Sequence, residues 1–199
     1  MDPHVSLTER AAFYRAEFPE WPGSWLHVSE RWLHGVWIMG NNYRNRSPLY
    51  GAYPPGYLGR VLTLFPDAER TLHLFSGSLQ RPQEARGLWV GLDLVRDAER
   101  CPTVRGDAAR LPFRDASFDL VLADPPYSLE DAKRYGQKMP DRRKVLRELH
   151  RVVEPGGFLI WLDCSMPMFR KAEWDWFGAI GLIRSTNHRF RTVVMFRRL

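Results

Sequence analysis

Short apolar runs alternate with turn signals and helical patterns from about residue 57 onward. Thr71-Leu72-His73-Leu74-Phe75 predicts a strand that ends in Ser76-Gly77-Ser78, and Gly87 to Leu92 a second that ends at Asp93. Pro102-Thr103-Val104-Arg105 is a weaker third, ending at Gly106-Asp107; Ser117 to Ala123 is a fourth, ending at Asp124; Phe158 to Leu162 is a fifth. Tyr57 to Phe65 predicts a helix stopped by Pro66-Asp67. Asp141 to Val153 has helical periodicity through Val145, Leu146, Leu149 and Val152, with Pro155-Gly156-Gly157 as its stop signal. Ala172 to Phe177 reads as helical. Gly181 to Thr186 and Arg191 to Phe196 read as closing strands paired through Asn187-His188. Strands alternating with helices predict an α/β domain with a mostly parallel sheet.

The first 56 residues read differently. Ser6 to Phe18 predicts a short helix, with Ser6 as N-cap and Glu9 three residues later. Trp21 to Tyr57 shows no clean period and is dense in aromatics: Trp21, Trp25, Trp32, Trp37, Tyr43, Tyr50, Tyr53 and Tyr57. Interleaved with Arg31, Arg44 and Arg46, these rings could stack bases while the arginines meet phosphates. Equally they could cap the sheet by packing their tryptophans against it, and both can hold. The expected division is an N-terminal extension, residues 1–56, and a catalytic domain, residues 57–199.

Composition narrows the class without naming a function. The 199 residues suffice for one sizeable core, and 44% hydrophobic with 26% charged residues is ordinary for a globular chain. No apolar run reaches the roughly 18 residues of a membrane span. Met1-Asp2-Pro3-His4 lacks the basic-then-apolar order of a secretion signal. The expectation is a cytoplasmic protein with no membrane partner. Cys101 and Cys164 have no metal-ligand spacing, and no His/Cys/Asp cluster suggests a metal. The formal net charge is +6, and lysine occurs only at Lys133, Lys138, Lys144 and Lys171, so arginine carries most of the basic charge. Arginine suits phosphate and guanine recognition, although its abundance can equally follow genome composition.

The chemistry gathers at strand ends, which share one edge of a parallel sheet and can serve one ligand. Phe75-Ser76-Gly77-Ser78 reads as a tight strand-to-helix turn of small residues that lets a ligand approach the backbone. Asp93 is placed for ribose hydroxyls and Asp107 for an adenine amine, although a single aspartate after a strand is more often a helix N-cap. Asp124-Pro125-Pro126-Tyr127 is the strongest signal. Two prolines fix a rigid extended corner that holds a carboxylate, a carbonyl and an aromatic ring. A flat base bearing an exocyclic amine suits it: the ring stacks and the oxygens accept from N–H groups. Ser128 to Pro140, with Lys133, Arg134 and Lys138, is a basic connection placed for backbone phosphates, or a solvated loop.

Together these residues resemble the class I S-adenosylmethionine-dependent methyltransferases, in the amino-methyltransferase branch that carries Asp-Pro-Pro-Tyr. The resemblance runs from Tyr53 to Leu199 through His73-Leu74-Phe75-Ser76-Gly77-Ser78-Leu79, Gly91-Leu92-Asp93, Gly106-Asp107-Ala108 and Asp124 to Tyr127. It implies a Rossmann-like three-layer fold whose mostly parallel seven-stranded sheet ends in an antiparallel strand. It also implies S-adenosylmethionine bound by Tyr53, Phe75, Ser76, Gly77, Ser78, Asp93, Leu94, Asp107, Ala108 and Asp124. The family usually has an acidic residue where His73 stands and a second glycine where Leu79 stands. The implied catalytic residues are Asp124, Pro125, Pro126 and Tyr127, with Arg44, Arg46, Lys133, Arg134 and Lys138 as nucleic-acid contacts and no metal.

The implied reaction is methyl transfer to the N6 amine of adenine in DNA. Asp124 and the Pro125 carbonyl would hold the amine, with Tyr127 stacked on the flipped base. Two alternatives stand beside it: an RNA base amino-methyltransferase acting on guanine N2 or adenine N6, and a non-catalytic nucleic-acid-binding subunit of the same fold. No insert fits a separate recognition domain, so sequence reading would fall to the aromatic N-terminal stretch, to a partner subunit or to a second copy of the chain, unless specificity is low.

Overall fold

The computed structural model describes residues 5–18, 24–40, 53–96, 102–184 and 187–199, with the backbone alone described at 187 and 188. Helix α1 (Leu7–Glu17) begins where expected. The Ser6 hydroxyl accepts from the Glu9 amide and the Glu9 carboxylate accepts from the Ser6 amide, so two orphan donors satisfy each other.

The expected irregular stretch resolves in part into strands β1 (Trp25–Val28) and β2 (Leu33–Met39). Along β2, Leu33, Gly35, Trp37 and Met39 point inward in strict alternation. The outward set includes Val36 and Ile38, so both faces read as apolar and the period of two was hidden. Gly35 must lack a side chain: a Cβ there would sit 2.1 Å from the Trp25 carbonyl on β1.

Helix α2 (Tyr57–Leu64) precedes β3 (Arg70–Leu74), β4 (Leu88–Asp93), β5 (Val104–Arg105) and β6 (Phe118–Ala123), close to the expected bounds. Next come a short helix α3 (Leu129–Arg134), α4 (Arg142–Val152), β7 (Val153–Asp163), β8 (Trp174–Arg184) and β9 (Asn187–Arg198). Asp141 caps α4 by accepting from the amides of Arg143 and Lys144.

Three expectations need correction. Pro155-Gly156-Gly157 does stop α4, but the same residues already belong to β7, whose register shifts opposite Phe118–Leu120. Ala172 to Phe177 is not helical: β8 starts at Trp174, and pairing with β9 supplies its backbone hydrogen bonds. The chain from Phe75 to Gly87 forms turns only, so the glycine-bearing loop does not lead into a helix.

The nine strands form one sheet in the order β1-β2-β8-β9-β7-β6-β3-β4-β5. Only β9 (against β7 and β8) and β1 (against β2) run antiparallel; the other pairings are parallel. The sheet thus exceeds the expected seven strands by the two from the N-terminal stretch. One face packs on α1 and α2 through Tyr14, Val61, Leu64 and Phe65 with Leu120, Leu122 and Ile160. The other packs on α4 through Val145, Leu149 and Val152 with Leu72, Leu74, Val121 and Trp161. Burial on both faces explains why the central strands read as near-continuous apolar runs. Shortening one such side chain, Leu120→Ala, would cost about 2–5 kcal/mol.

Candidate active site

Parallel strands bring their carboxyl ends to one edge, and the edge carries residues in the spatial order Asp107, Asp93, Phe75–Gly77, Asp124 and Asp163. Strand β9 runs the other way, so its beginning meets the same edge: Thr192 is paired with Asp163, and Arg191 precedes it.

One flank is made of backbone and short turns. Phe75 has φ +58°, an uncommon conformation for a residue with a Cβ, and Gly77 follows at +54°. The left-handed positions therefore fall on Phe75 and Gly77 and leave Leu79, which packs against the hydrophobic core, unstrained. A Cβ added at Gly77 would meet nothing within 4 Å, so the loop is open on that side. Asp93 holds the loop: its carboxylate accepts from the Gly77 amide at 2.9 Å and from the Val95 amide at 3.0 Å. An ionised carboxylate accepts about four hydrogen bonds, so acceptor positions remain for ribose hydroxyls. The Ser76 hydroxyl is buried over Gly91, without a partner, and does not face the edge. Ser78 is partly buried, Leu94 is exposed and Ala108 is buried. Asp107 is exposed and caps its own turn by accepting from the Ala109 amide at 2.8 Å.

The other flank is built from side chains. Tyr127 Oη donates to Asp124 Oδ1 at 2.6 Å, and Arg191 Nη1 donates weakly to Tyr127 Oη at 3.4 Å. Asp124 keeps a small accessible surface but is otherwise ringed by protein. Burial pushes its carboxyl up to about 7; the Tyr127 hydrogen bond and the Arg191 charge pull the other way, and Asp163 adds to the rise. Tyr53 and Tyr57 stack at 4.6 Å, and burial holds both phenols well above their ordinary range. Tyr53 Oη is hydrogen-bonded to His73 Nε2 at 2.9 Å. Burial pushes the His73 imidazole down to about 3, so it is neutral at pH 7. The prolines are held from behind. Arg142 pairs with buried Asp163 at 2.7 Å and reaches the carbonyls of Pro126 and Tyr127 at 3.4 Å. Pro125 is buried.

The structure thus brings Tyr53, Gly77, Asp93, Asp124 and Tyr127 to one edge, with Asp107 at its far end. Lys133 and Arg134 lie exposed in the last turn of α3, a helix rather than the expected loop, where cations complement the helix dipole. Lys138 is also exposed; Arg44 and Arg46 lie outside the described residues. Sequence reasoning missed Asp163, Arg142 and Arg191. Asp163 carries the same signal as its neighbours, an aspartate directly after an apolar strand. Arg191 could be found only by noting that an antiparallel last strand begins at the ligand edge. Among the described residues no group of three His, Cys, Asp or Glu could hold a metal ion, and no helix is long and apolar enough to cross a membrane.

Residues 90–161 match the family model of a methyltransferase domain. The demethylmenaquinone methyltransferase of Staphylococcus epidermidis is 38% identical over 80 residues, covering 40% of this chain and 30% of that protein. The enzyme of the same name from Lactiplantibacillus plantarum is 32% identical over 111 residues, covering 50% of this chain and 43% of that protein. The chain thus spans less than half the length of these curated relatives. Among solved structures, TrmN from Thermus thermophilus superposes with a TM-score of 0.55 at 22% identity, over 77% of this chain and 52% of that one. The fold is the Rossmann-like α/β fold of class I methyltransferases, and S-adenosylmethionine is the cofactor that the methyltransferase domain supports. Methyl transfer to adenine N6 in DNA, the expected reaction, is overturned: the relatives that match this region are named for demethylmenaquinone, a small molecule, and point away from a nucleic-acid base.

Proposed function

We propose that this class I S-adenosylmethionine-dependent methyltransferase methylates a small planar acceptor of the quinol type, whose hydroxyl proton leaves to Asp124. The observation that carries this reading is Asp124 itself, a carboxyl pushed up to about 7 at the carboxyl edge of the sheet, between a glycine loop and Arg191. A base that titrates near neutrality is matched to taking a proton from a weak acid at physiological pH. Tyr127, hydrogen-bonded to Asp124, puts an aromatic ring beside the base, as a flat acceptor needs. The names of the matched relatives support the same acceptor class.

The flank from β3 to β5 would hold the cofactor. The backbone of Phe75 to Ser78 leaves room over Gly77; Asp93 has acceptor positions for ribose hydroxyls; Asp107, Ala108 and Leu94 would border the adenine, with Tyr53 at the methionine side. The bound sulfonium supplies an electrophilic methyl. Asp124 removes the acceptor's hydroxyl proton and so raises electron density on the ring. The methyl would pass from the bound cofactor to the acceptor, leaving the neutral thioether, while Asp124 would carry the acceptor's proton. Tyr127 and Arg142 keep the corner in register for this step. In this reading residues 57–199 are the methyltransferase domain, and the described part of residues 1–56 extends its sheet by β1 and β2 and covers one face with α1.

Incubation with methyl-labelled S-adenosylmethionine and, in separate vessels, 1,4-naphthoquinol, duplex DNA and total RNA tests the reading. Label recovered on the naphthalene ring is the expected result; label in nucleic acid with none on the ring would overturn it.

A further inference from the structure

Arg191 is a buried cation without an adequate partner. It is 5% exposed, and Nε and Nη2 are buried with no hydrogen-bond acceptor. Among the described residues its one hydrogen bond runs from Nη1 to Tyr127 Oη at 3.4 Å, beyond the usual range for a charged donor, and the guanidinium lies 6.0 Å from the centre of the same ring, at the outer limit of a cation–π contact. The carboxylates near this edge are engaged elsewhere: Asp163 pairs with Arg142 at 2.7 Å, Asp131 with Arg189 at 2.8 Å, and Asp124 accepts from Tyr127. Among the described residues Arg191 forms no ion pair. A desolvated guanidinium left unpaired is costly, which is why buried charges in folded chains are nearly always matched. Arg184, on the neighbouring strand, adds positive charge here; burial and then the nearness of Arg191 hold its pKa below the ordinary value.

The two unmatched nitrogens are informative as a pair. Nε and Nη2 lie on one side of the guanidinium, and their parallel N–H bonds fit the two oxygens of a carboxylate. Position separates this seat from the cofactor. Gly77, Asp93 and Asp107 stand on β3, β4 and β5, on one side of Asp124, whereas Arg191 stands on β9, two strands away on the other side. The guanidinium itself reaches back toward the corner: Arg191 Nη1 lies 3.4 Å from Tyr127 Oη, which lies 2.6 Å from Asp124 Oδ1, so the seat and the Asp124 carboxyl are within reach of one small substituted ring.

We propose that the preferred methyl acceptor is a quinol-type ring that also carries a carboxylate, and that Arg191 receives this carboxylate side-on through Nε and Nη2. This rests on the methyl-transfer reading for the word acceptor, while the anion seat itself stands on the geometry of Arg191. Arg191 is then a specificity-determining residue: it selects acidic rings and turns the hydroxyl end toward Asp124.

Benzoate and its neutral isostere benzamide serve as probes, titrated by calorimetry into the protein with and without saturating S-adenosylhomocysteine. The wild type should bind benzoate at least about tenfold more tightly than benzamide, as a bidentate charged hydrogen bond requires. Arg191→Met should cut that preference below about twofold with S-adenosylhomocysteine affinity unchanged; Arg191→Lys, which keeps the charge and loses the fork, should retain an intermediate preference. Equal binding of the two probes to the wild type, or an undiminished preference in Arg191→Met, overturns the proposal. So does loss of S-adenosylhomocysteine binding in a folded Arg191→Met, which would assign Arg191 to the cofactor. A wild type that prefers benzoate but binds no S-adenosylhomocysteine would refute methyl transfer and uphold the anion seat.

Discussion

Two arginines are buried in this molecule to nearly the same depth, Arg10 at 1% exposure and Arg191 at 5%; both lie over aromatic rings and both have an unpartnered Nε, but they differ in what their terminal nitrogens meet. Arg10 of α1 donates to both oxygens of Asp67 at 2.7 and 2.6 Å and to the Leu64 carbonyl at 2.9 Å, and it lies over the rings of Phe65 and Phe158. The chain carries its partner, and the pair fastens the first helix to the end of α2. Arg191 has a hydroxyl at 3.4 Å and two nitrogens facing no acceptor. The contrast separates two uses of a buried charge. One completes a seam inside the fold; the other waits at an edge where ligands bind, and its partner comes from outside.

The contrast can be broken by substitution. The largest effect belongs to the site: Asp124→Ala should lower methyl transfer by about 10²–10⁴-fold, the usual share of a positioned base, with S-adenosylhomocysteine affinity within a few fold of wild type. Single-turnover rates and calorimetry measure both. Next, Arg10→Ala should cost about 3 kcal/mol in urea unfolding, since it strands a partly buried Asp67 carboxylate. Arg191→Met should leave stability unchanged or raise it by about 1 kcal/mol, because it removes an unmatched charge. Comparable destabilisation by the two substitutions would erase the distinction between them.

Smaller effects concern pH. The folded-state pKa of Asp124 lies above its unfolded value, so its contribution to stability is fully present below about 4 and is lost as pH rises toward about 7. His73 acts in the opposite direction. Its folded pKa, near 3, lies below its unfolded value, so its contribution is present above about 6.5 and is lost as pH falls toward 3. Each proton changes stability by at most about 1.4 kcal/mol per pH unit. Unfolding of Asp124→Asn and His73→Leu across pH 3–8 should remove the two slopes separately.

The cofactor flank was readable in the sequence because it is local. Gly77, Asp93 and Asp107 each lie at or within a few residues of a strand end, and Asp93 and Asp107 accept from the amides two residues further on. The acceptor flank is assembled over distance. Arg142 and Asp163 are separated by 21 positions and Tyr127 and Arg191 by 64, and neither pairing leaves a periodic trace. Asp124-Pro125-Pro126-Tyr127 does stand at the carboxyl end of β6, but its reading as an adenine-N6 corner went too far: a carboxylate, a carbonyl and a ring do not by themselves select an adenine amine. The N-terminal strands were hidden for another reason. Each face of β2 carries apolar residues, so alternation gave no contrast until the pairing with β8 was in place.

The central claim is that Asp124 is the base for methyl transfer to a small aromatic acceptor. Its most direct test is the pH dependence of single-turnover methylation of 1,4-naphthoquinol by the wild type and by Asp124→Asn. The rate should rise through a midpoint near pH 7, set by the burial of Asp124, and should fall by at least about 10²-fold in the variant at pH 8. A wild-type rate in Asp124→Asn, with the same pH profile, would contradict it.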